Sequence, residues 1–232
     1  MYNNCNILAF ETATQVCSVA LYANGKIFFR IEKTPKRSSE VLLLMINHVL
    51  AEADISINQL NLIAIGYGPG SFMGVRLAVG VAKGIAFPRH IPVIGVSTLQ
   101  ILAQTAFEKF QLTSVLAAWD ARMHEMYVGI YRLNREKIMC AVEEDELIKP
   151  SRYILPKGAY RLVGNAWSVY YADFSSIFKK QFDHHAAEIA WMYPDAISLL
   201  RIASHRYRNK QYTNALNLSP VYLRDKVAET SA

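Results

Sequence analysis

Residues 62–87 read LIAIGYGPGSFMGVRLAVGVAKGIAF, and this run decides the architecture. Leu62 to Tyr67 is a short apolar run of the kind that forms a buried strand. Gly68-Pro69-Gly70 ends it, and a helical period takes over from Ser71 to Phe87, stopping before Pro88. Another short strand follows at Pro92 to Val96, and Ser97 can cap a helix through Phe110. Upstream, Asn6 to Phe10, Val16 to Tyr22 and Lys26 to Ile31 read as three strands. The last two meet at Ala23-Asn24-Gly25, a hairpin signal whose residues tolerate positive φ. Ser38 or Ser39 caps a helix to about Ala53. These elements predict an α/β layer with antiparallel and parallel pairing together.

The pattern then restarts. Val115 to Asp120 resembles Asn6 to Glu11 at an offset of 109 residues. At that offset Leu116 falls on Ile7, Asp120 on Glu11, Val128 on Val19, Ile130 on Leu21 and Tyr131 on Tyr22. A duplicated unit explains this; so does chance likeness between two amphipathic hairpins. Either way a boundary falls near Gln111 to Ser114, giving subdomains 1–111 and 112–232. Beyond Cys140 we expect a linker through Pro150, a short helix, a strand at Arg161 to Val163, a long helix around Ala186 to Arg208, and an extended tail SPVYLRDKVA.

Composition narrows the class. Of 232 residues 52% are apolar and 19% charged, which excludes a disordered chain. Three cysteines are too few for a disulfide scaffold. No run of about 18 apolar residues occurs, and MYNNCNILAFET lacks a basic leader, so we expect a soluble cytoplasmic protein with no membrane segment. The net charge of +6 invites nucleic acid, but it is divided among Arg30, Lys33, Lys36 and Arg37, then Lys179 and Lys180, then Arg201, His205, Arg206, Arg208 and Lys210. Direct RNA contact and ordinary solvated surface both remain open.

Candidate chemistry is sparse. Gly66 to Gly84 runs from a strand through a Gly-rich turn into a helix N-terminus, a place where anions bind. It matches neither GxGxxG nor GxxxxGK[ST]. Cys5, Cys17 and Cys140 form no CxxC pair and read as buried reduced thiols; His124-Glu125 is not HExxH, since Val128 stands where the second histidine belongs. His184-His185 is a lone pair. Glu11-Thr12-Ala13-Thr14 and Asp120-Ala121-Arg122-Met123 can present carboxylates to a ligand, or Asp120, Arg122 and Glu125 can simply form a salt-bridged hairpin. GxSxG is absent. Two helices carry more apolar girth than one core needs. On the first, Leu42, Met45, Ile46, Val49 and Ala53 make a core stripe, while Leu43 and Leu44 point elsewhere, with Asn47 and Ala51 between them. On the second, Arg76 and Lys83 share a narrow polar stripe, and Gly80 and Gly84 let another backbone approach. A crowded core and a protein interface both fit these faces.

Taken together, ILAFETATQVCSVAL, IAIGYGPGSFMGVRLAVGVAKGIA, PVIGVSTL, VLAAWDARMHEMYVGIY and PVYLRDKVA resemble the TsaB family, also called YeaZ. The likeness is strongest over residues 6–131 and 220–228. It implies a duplicated actin-like fold of the ASKHA class, two βββαβα-type subdomains with mixed sheets. It further implies a non-catalytic subunit that pairs with a TsaD-like catalytic relative. With a TsaE-like ATPase, that complex transfers threonylcarbamoyl from its adenylate to N6 of the adenosine beside the anticodon, in tRNAs reading codons that begin with A. The resemblance puts the partner contact on the N-terminal helices, here Leu43, Leu44, Asn47, Arg76, Gly80, Lys83 and Gly84. It assigns no cofactor, metal or nucleophile to this chain; tRNA is met through the complex, and a homodimer through the same face is expected in isolation.

The departures bear on chemistry. Catalytic TsaD subunits carry a helix-borne HxxxH, and the corresponding places here are Thr98 and Leu102, neither an imidazole. Actin-like ATPases bring glycine-rich acidic hairpins against phosphate, whereas here the hairpins read ETAT and DARM. Glu11 stands where Asp is more usual, and His124 where Gly is. Two rival readings are an independent ATPase or small-molecule kinase using Glu11, Thr12, Gly70 and Asp120, and a peptidase, a label once attached to relatives.

Overall fold

The computed structural model describes residues 5–33, 38–181 and 192–224. The first sheet has five strands, β1 (Ile7–Glu11), β2 (Val16–Ala23), β3 (Lys26–Lys33), β4 (Leu62–Gly66) and β5 (Val93–Val96), in the order β3-β2-β1-β4-β5. β1 lies antiparallel to β2 and parallel to β4, so the sheet is mixed. Every residue of β1, β2 and β4 is buried, because helices cover both faces; hence the continuous apolar runs. β3 is the open edge and carries Lys26, Arg30, Glu32 and Lys33, charges that discourage further strand pairing. Asn24 and Gly25, with φ of 52° and 76°, turn the β2–β3 hairpin as expected.

Helices α1 (Ser38–Glu52) and α2 (Phe72–Ala86) lie on one face of this sheet. There Leu42, Ile46, Val49, Ala78 and Ala82 pack on Leu8, Phe10, Val19 and Leu21. The second sheet is built from β6 (Ser114–Arg122), β7 (Glu125–Leu133), β8 (Met139–Ala141), β9 (Glu146–Ile148) and β10 (Arg161–Val163). Its order is β10-β6-β7-β8, with β9 also pairing β7. The short helices α4 (Ala166–Val169) and α5 (Ser176–Gln181) close one face through Trp167, Phe174 and Phe178, the two phenylalanine rings stacked at 4.1 Å.

The remaining faces are covered by exchange. Helix α3 (Thr98–Phe110) follows β5, yet it lays Leu99, Leu102, Ala103 and Ala106 on Val115, Ala117, Trp119 and Tyr131 of the second sheet. Helix α6 (Ala196–Arg208) comes from the second half and lays Leu199, Leu200, Ile202 and Ala203 on Ile7, Ala9, Ala20 and Leu62 of the first. The two helices touch where the Thr105 hydroxyl meets that of Ser198 at 3.0 Å. The expected start of this last helix near Ala186 moves to Ala196: Asp195 caps it by accepting from Ser198 N at 2.9 Å, and residues 182–191, His184 and His185 among them, lie outside those described. The side chains of Ser38 and Ser39 are likewise outside the described ones.

The second half abbreviates the first. Only a 3-10 turn, Pro150–Arg152, precedes β10, where the first half has α1 before β4. The stretch expected as linker holds β8 and β9, and Cys140 on β8 is exposed rather than buried. The offset of 109 also slips. Leu116 faces the core under α4, as Leu8 faces the core under α1, so Leu116 matches Leu8 and not Ile7. Along β7 the offset holds, Val128 and Tyr131 sharing the faces of Val19 and Tyr22. The cause is hairpin length: Leu8 pairs Leu21, 13 residues on, whereas Leu116 pairs Ile130, 14 residues on, the extra residue being Ala121 at the bulge between Asp120 and Arg122. A one-residue slip reverses side-chain direction, so Glu11 and Asp120 point to opposite faces.

Glu11 is turned wholly inward. Its carboxylate sits where a Cβ on Gly66 would be, accepts from Ala13 N at 2.5 Å and meets the Thr98 hydroxyl at 3.5 Å. Burial pushes its pKa from 4.5 up to about 7, against the opposing pull of the Ala13 and Thr12 amides and the Thr98 hydroxyl. A carboxyl whose folded pKa is raised stabilises most below its unfolded value and loses that contribution as pH rises through the folded one. Stability therefore falls by on the order of 3 kcal/mol between about pH 4.5 and 7, and Glu11→Gln flattens this slope, as urea titrations across that range will read. Leu102→Ala, which hollows the core between α3 and the second sheet, costs about 3 kcal/mol and lowers the single melting transition of both sheets together.

Candidate functional site

Two regions qualify: the cleft between the sheets and the outer face of α1 and α2. The cleft encloses about 1080 Å³ and is lined by Thr12, Ser71, Asp120, Arg122, Asn165 and Tyr222, among others. On its first wall the N-terminus of α2 is already occupied by protein. Ser71 caps the helix by accepting from Gly74 N at 3.3 Å, while its own amide donates to Ala13 O at 2.7 Å. Thr12 Oγ1 donates to Gly74 O at 2.7 Å, and Gly70 and Gly74 lack the Cβ that would collide with the Ala13 and Thr12 carbonyls. The glycines thus admit the protein's own turn. With the Glu11 carboxylate taking the Ala13 amide from behind, that amide is not offered to the cleft.

The opposite wall repeats this economy with different parts. Asp120 Oδ1 accepts from Arg122 N at 2.7 Å and from the Tyr170 hydroxyl at 2.5 Å, and its Oδ2 pairs with the Arg122 guanidinium at 3.1 Å. Arg122, Met123 and His124 all hold φ between 54° and 63°, the left-handed region where glycine is the easier residue. That explains why a glycine suits position 124. Glu125 does not join the Asp120–Arg122 pair. It is held by Arg224 at 2.5 Å, a partner from the tail that strand and hairpin reading could not reveal. Thr98 and Leu102 are both buried, the first on Glu11 and the second in the core under α3.

The outer face is different in kind. Leu43 and Leu44 are 51% and 57% exposed, and Asn47 beside them is exposed too. On α2, Met73 (73% exposed), Gly80, Gly84 and Phe87 (55%) follow one another along one stripe. Nothing lies within 4 Å of where a Cβ on Gly80 or Gly84 would stand, so within the described residues no backbone uses the approach they permit. Arg76 and Lys83 are engaged: Arg76 stacks on the Phe72 ring at 3.5 Å and donates to the Tyr222 hydroxyl at 2.8 Å, and Lys83 Nζ donates to Leu216 O at 3.3 Å. Met73 and Phe87 were hidden in the sequence by the apolar girth of α2, since only the packing shows which side stays bare.

The basic residues are largely committed elsewhere. Arg30 pairs with Glu52, Arg201 with Glu108 and His205 with Glu136, while Arg206 donates to Gly95 O and to the Gln100 side chain. Burial lowers the Arg206 pKa. Among the described residues no group of three or more His, Cys, Asp or Glu is placed to hold a metal ion, and no helix is long and apolar enough to cross a membrane.

Comparison with known proteins fits this geometry. A family model described as TsaD, tRNA N6-adenosine threonylcarbamoyltransferase, matches residues 32–232. The tRNA threonylcarbamoyladenosine biosynthesis protein TsaB of Haemophilus influenzae is 35% identical over 97% of this chain and 95% of its own length. The Escherichia coli protein of the same name is also 35% identical, over 96% of each. Among solved structures, YeaZ from Pseudomonas aeruginosa superposes with a TM-score of 0.84 at 34% identity, covering 94% of this chain and all of that one. Two mixed sheets with exchanged covering helices are thus the duplicated actin-like fold of these proteins, and the chain belongs to the TsaB (YeaZ) family.

Proposed function

We propose that this chain is a non-catalytic subunit in the biosynthesis of threonylcarbamoyladenosine in tRNA, working in the cytoplasm as a scaffold for a TsaD-like catalytic subunit. In this reading the first subdomain, residues 1–111, carries the partner face and the second, 112–232, supports it. A TsaE-like ATPase joins the larger complex, and tRNA is met through that complex. The observation that carries the proposal is the bare apolar surface on the outer sides of two helices that cover the same sheet face, Leu43 and Leu44 on α1 and Met73, Gly80, Gly84 and Phe87 on α2, on a chain whose relatives are named for this biosynthesis. Exposed apolar surface of this kind finds a mate, and two open glycines let a partner helix come close. In isolation the same face favours a homodimer.

The rival reading, an independent ATPase or kinase, is favoured by the size of the cleft. It is opposed by the occupied α2 terminus and by Glu11 and Asp120, each of which accepts from an amide of its own hairpin. Among the described residues no cluster of His, Cys, Asp or Glu is placed to hold the metal that a metallopeptidase would need.

Reconstituted tRNA modification tests the proposal: activity should depend on adding this chain to the catalytic subunit, and full activity without it would end the scaffold reading. Leu43→Glu and Leu44→Glu each place a charge in the contact and should raise the dissociation constant of the pair at least about tenfold, read by calorimetry, with the melting temperature of the free chain unchanged. A constant unmoved by both substitutions would remove the face from the interface.

A further inference from the structure

We propose that the mouth of the cleft is a binding groove for the chain's own C-terminal segment, and that residues 219–224 act there as a strap fixing the angle between the two lobes. The segment touches both walls within a few residues. On the first lobe, Val221 N donates to Tyr67 O at 2.9 Å. The Val221 carbonyl lies over Gly68, whose φ of 104° and missing side chain both make room for it. Tyr222 accepts from Arg76 at 2.8 Å, its ring 5.9 Å from that of Phe72. On the second lobe, Arg224 forks between the Glu125 carboxylate at 2.5 Å and the carbonyls of Ala121 and Arg122 at 3.3 and 3.4 Å.

The spacing makes this a tether. Residues 222 and 224 are separated by at most about 7 Å of chain, with a bend at Leu223, and each is anchored to a different lobe. The Arg224–Glu125 pair is about three-quarters buried on both sides, so solvent screens it less than an open surface pair. The exchanged helices join the lobes elsewhere, through their packing on the two sheets. A ligand that drew the lobes together would need free amides from the two acidic hairpins. Glu11 and Asp120 already accept from Ala13 N and Arg122 N, and the strap supplies the bridge instead.

The strap also reaches the outer face. Arg76 is held by Tyr222, and the Leu216 carbonyl just upstream holds Lys83, so the segment edges the stripe that carries Gly80 and Gly84. Only this last consequence, that releasing the strap alters the partner face, rests on the function proposed above.

The test uses the full-length chain without a partner, so its outcome does not depend on whether a catalytic subunit binds. Hydrogen exchange at the Val221 amide reports attachment to the first lobe. Spin labels on Cys140 and on an Ala51→Cys substitution report the distance between lobes. Arg224→Ala cuts only the second-lobe anchor; it should nonetheless raise Val221 exchange about tenfold and broaden the interlobe distance distribution. Glu125→Ala severs the same pair from the other side and should do likewise, with the circular dichroism of both variants native. Val221 exchanging at the rate of an unstructured peptide in the unsubstituted chain, or both variants leaving the two readouts unchanged, overturns the strap.

Discussion

Neither half of this chain covers both faces of its own sheet. The first half ends in α3, which lies on the second sheet, and the second half ends in α6, which lies on the first. Each sheet therefore depends for one whole face on the other half. Leu102 or Leu199 left in water would each forfeit about 2 kcal/mol of burial, and Leu99, Phe107, Leu200 and Ile202 are placed by the same exchange. The lobes are consequently not separate modules set side by side. Their common wall is the α3–α6 layer, sealed by apolar packing and by the Thr105–Ser198 contact, and the cleft is what remains on the other side.

Within that frame one residue of hairpin length decides the fate of the two acids. Glu11 and Asp120 lie at the ends of equivalent strands, but the second hairpin is longer by one residue, so the two acids are one position out of step, and a strand shows alternate residues to alternate faces. Glu11 consequently turns toward Thr98 and the interior, where burial raises its pKa, while Asp120 turns toward Tyr170 and the cleft rim. Both still cap their own turns, by different routes. A carboxylate committed to its own backbone is not a group waiting for a substrate, and this is the physical content of the departure from glycine-rich hairpins.

Much of this was legible in the sequence, and the exceptions have specific causes. The strands and helices from Asn6 to Phe110 emerged because their periods are clean and Asn24, Ser71, Ser97 and Pro88 punctuate them. The bare leucines Leu43 and Leu44 emerged because α1 has a complete core stripe without them. What did not emerge is whatever depends on distance in space. The exchange of α3 and α6 leaves no local mark, since a helix apolar on one face does not say which sheet it will meet. The slip between Glu11 and Asp120 was masked because apolar residues match apolar residues at either offset. The pairing of Arg224 with Glu125 joins positions 99 residues apart, and the local spacing had offered Glu125 a partner in Arg122 of its own hairpin instead.

The two candidate regions can be weighed by what each leaves unsatisfied. In the cleft, hydroxyls, carboxylates and amides from both walls find partners within the chain, and the tail adds Tyr222 and Arg224 to close it further. The groups at Thr12, Ser71, Asp120 and Arg122 are thus spent on internal bonds, and a ligand seeking them would have to break those bonds first. On the outer face of α1 and α2 the balance is reversed. Leucine, methionine and phenylalanine side chains stand in water with nothing in the described chain to cover them, and two glycines leave open the space a packed helix would fill. Apolar area removed from water yields free energy without any bond being broken first. The surface that gains by meeting something is therefore the outside of the first lobe. The cleft is roomy but its two acidic hairpins are committed to their own turns, whereas the flank of the first lobe is apolar and uncovered among the described residues.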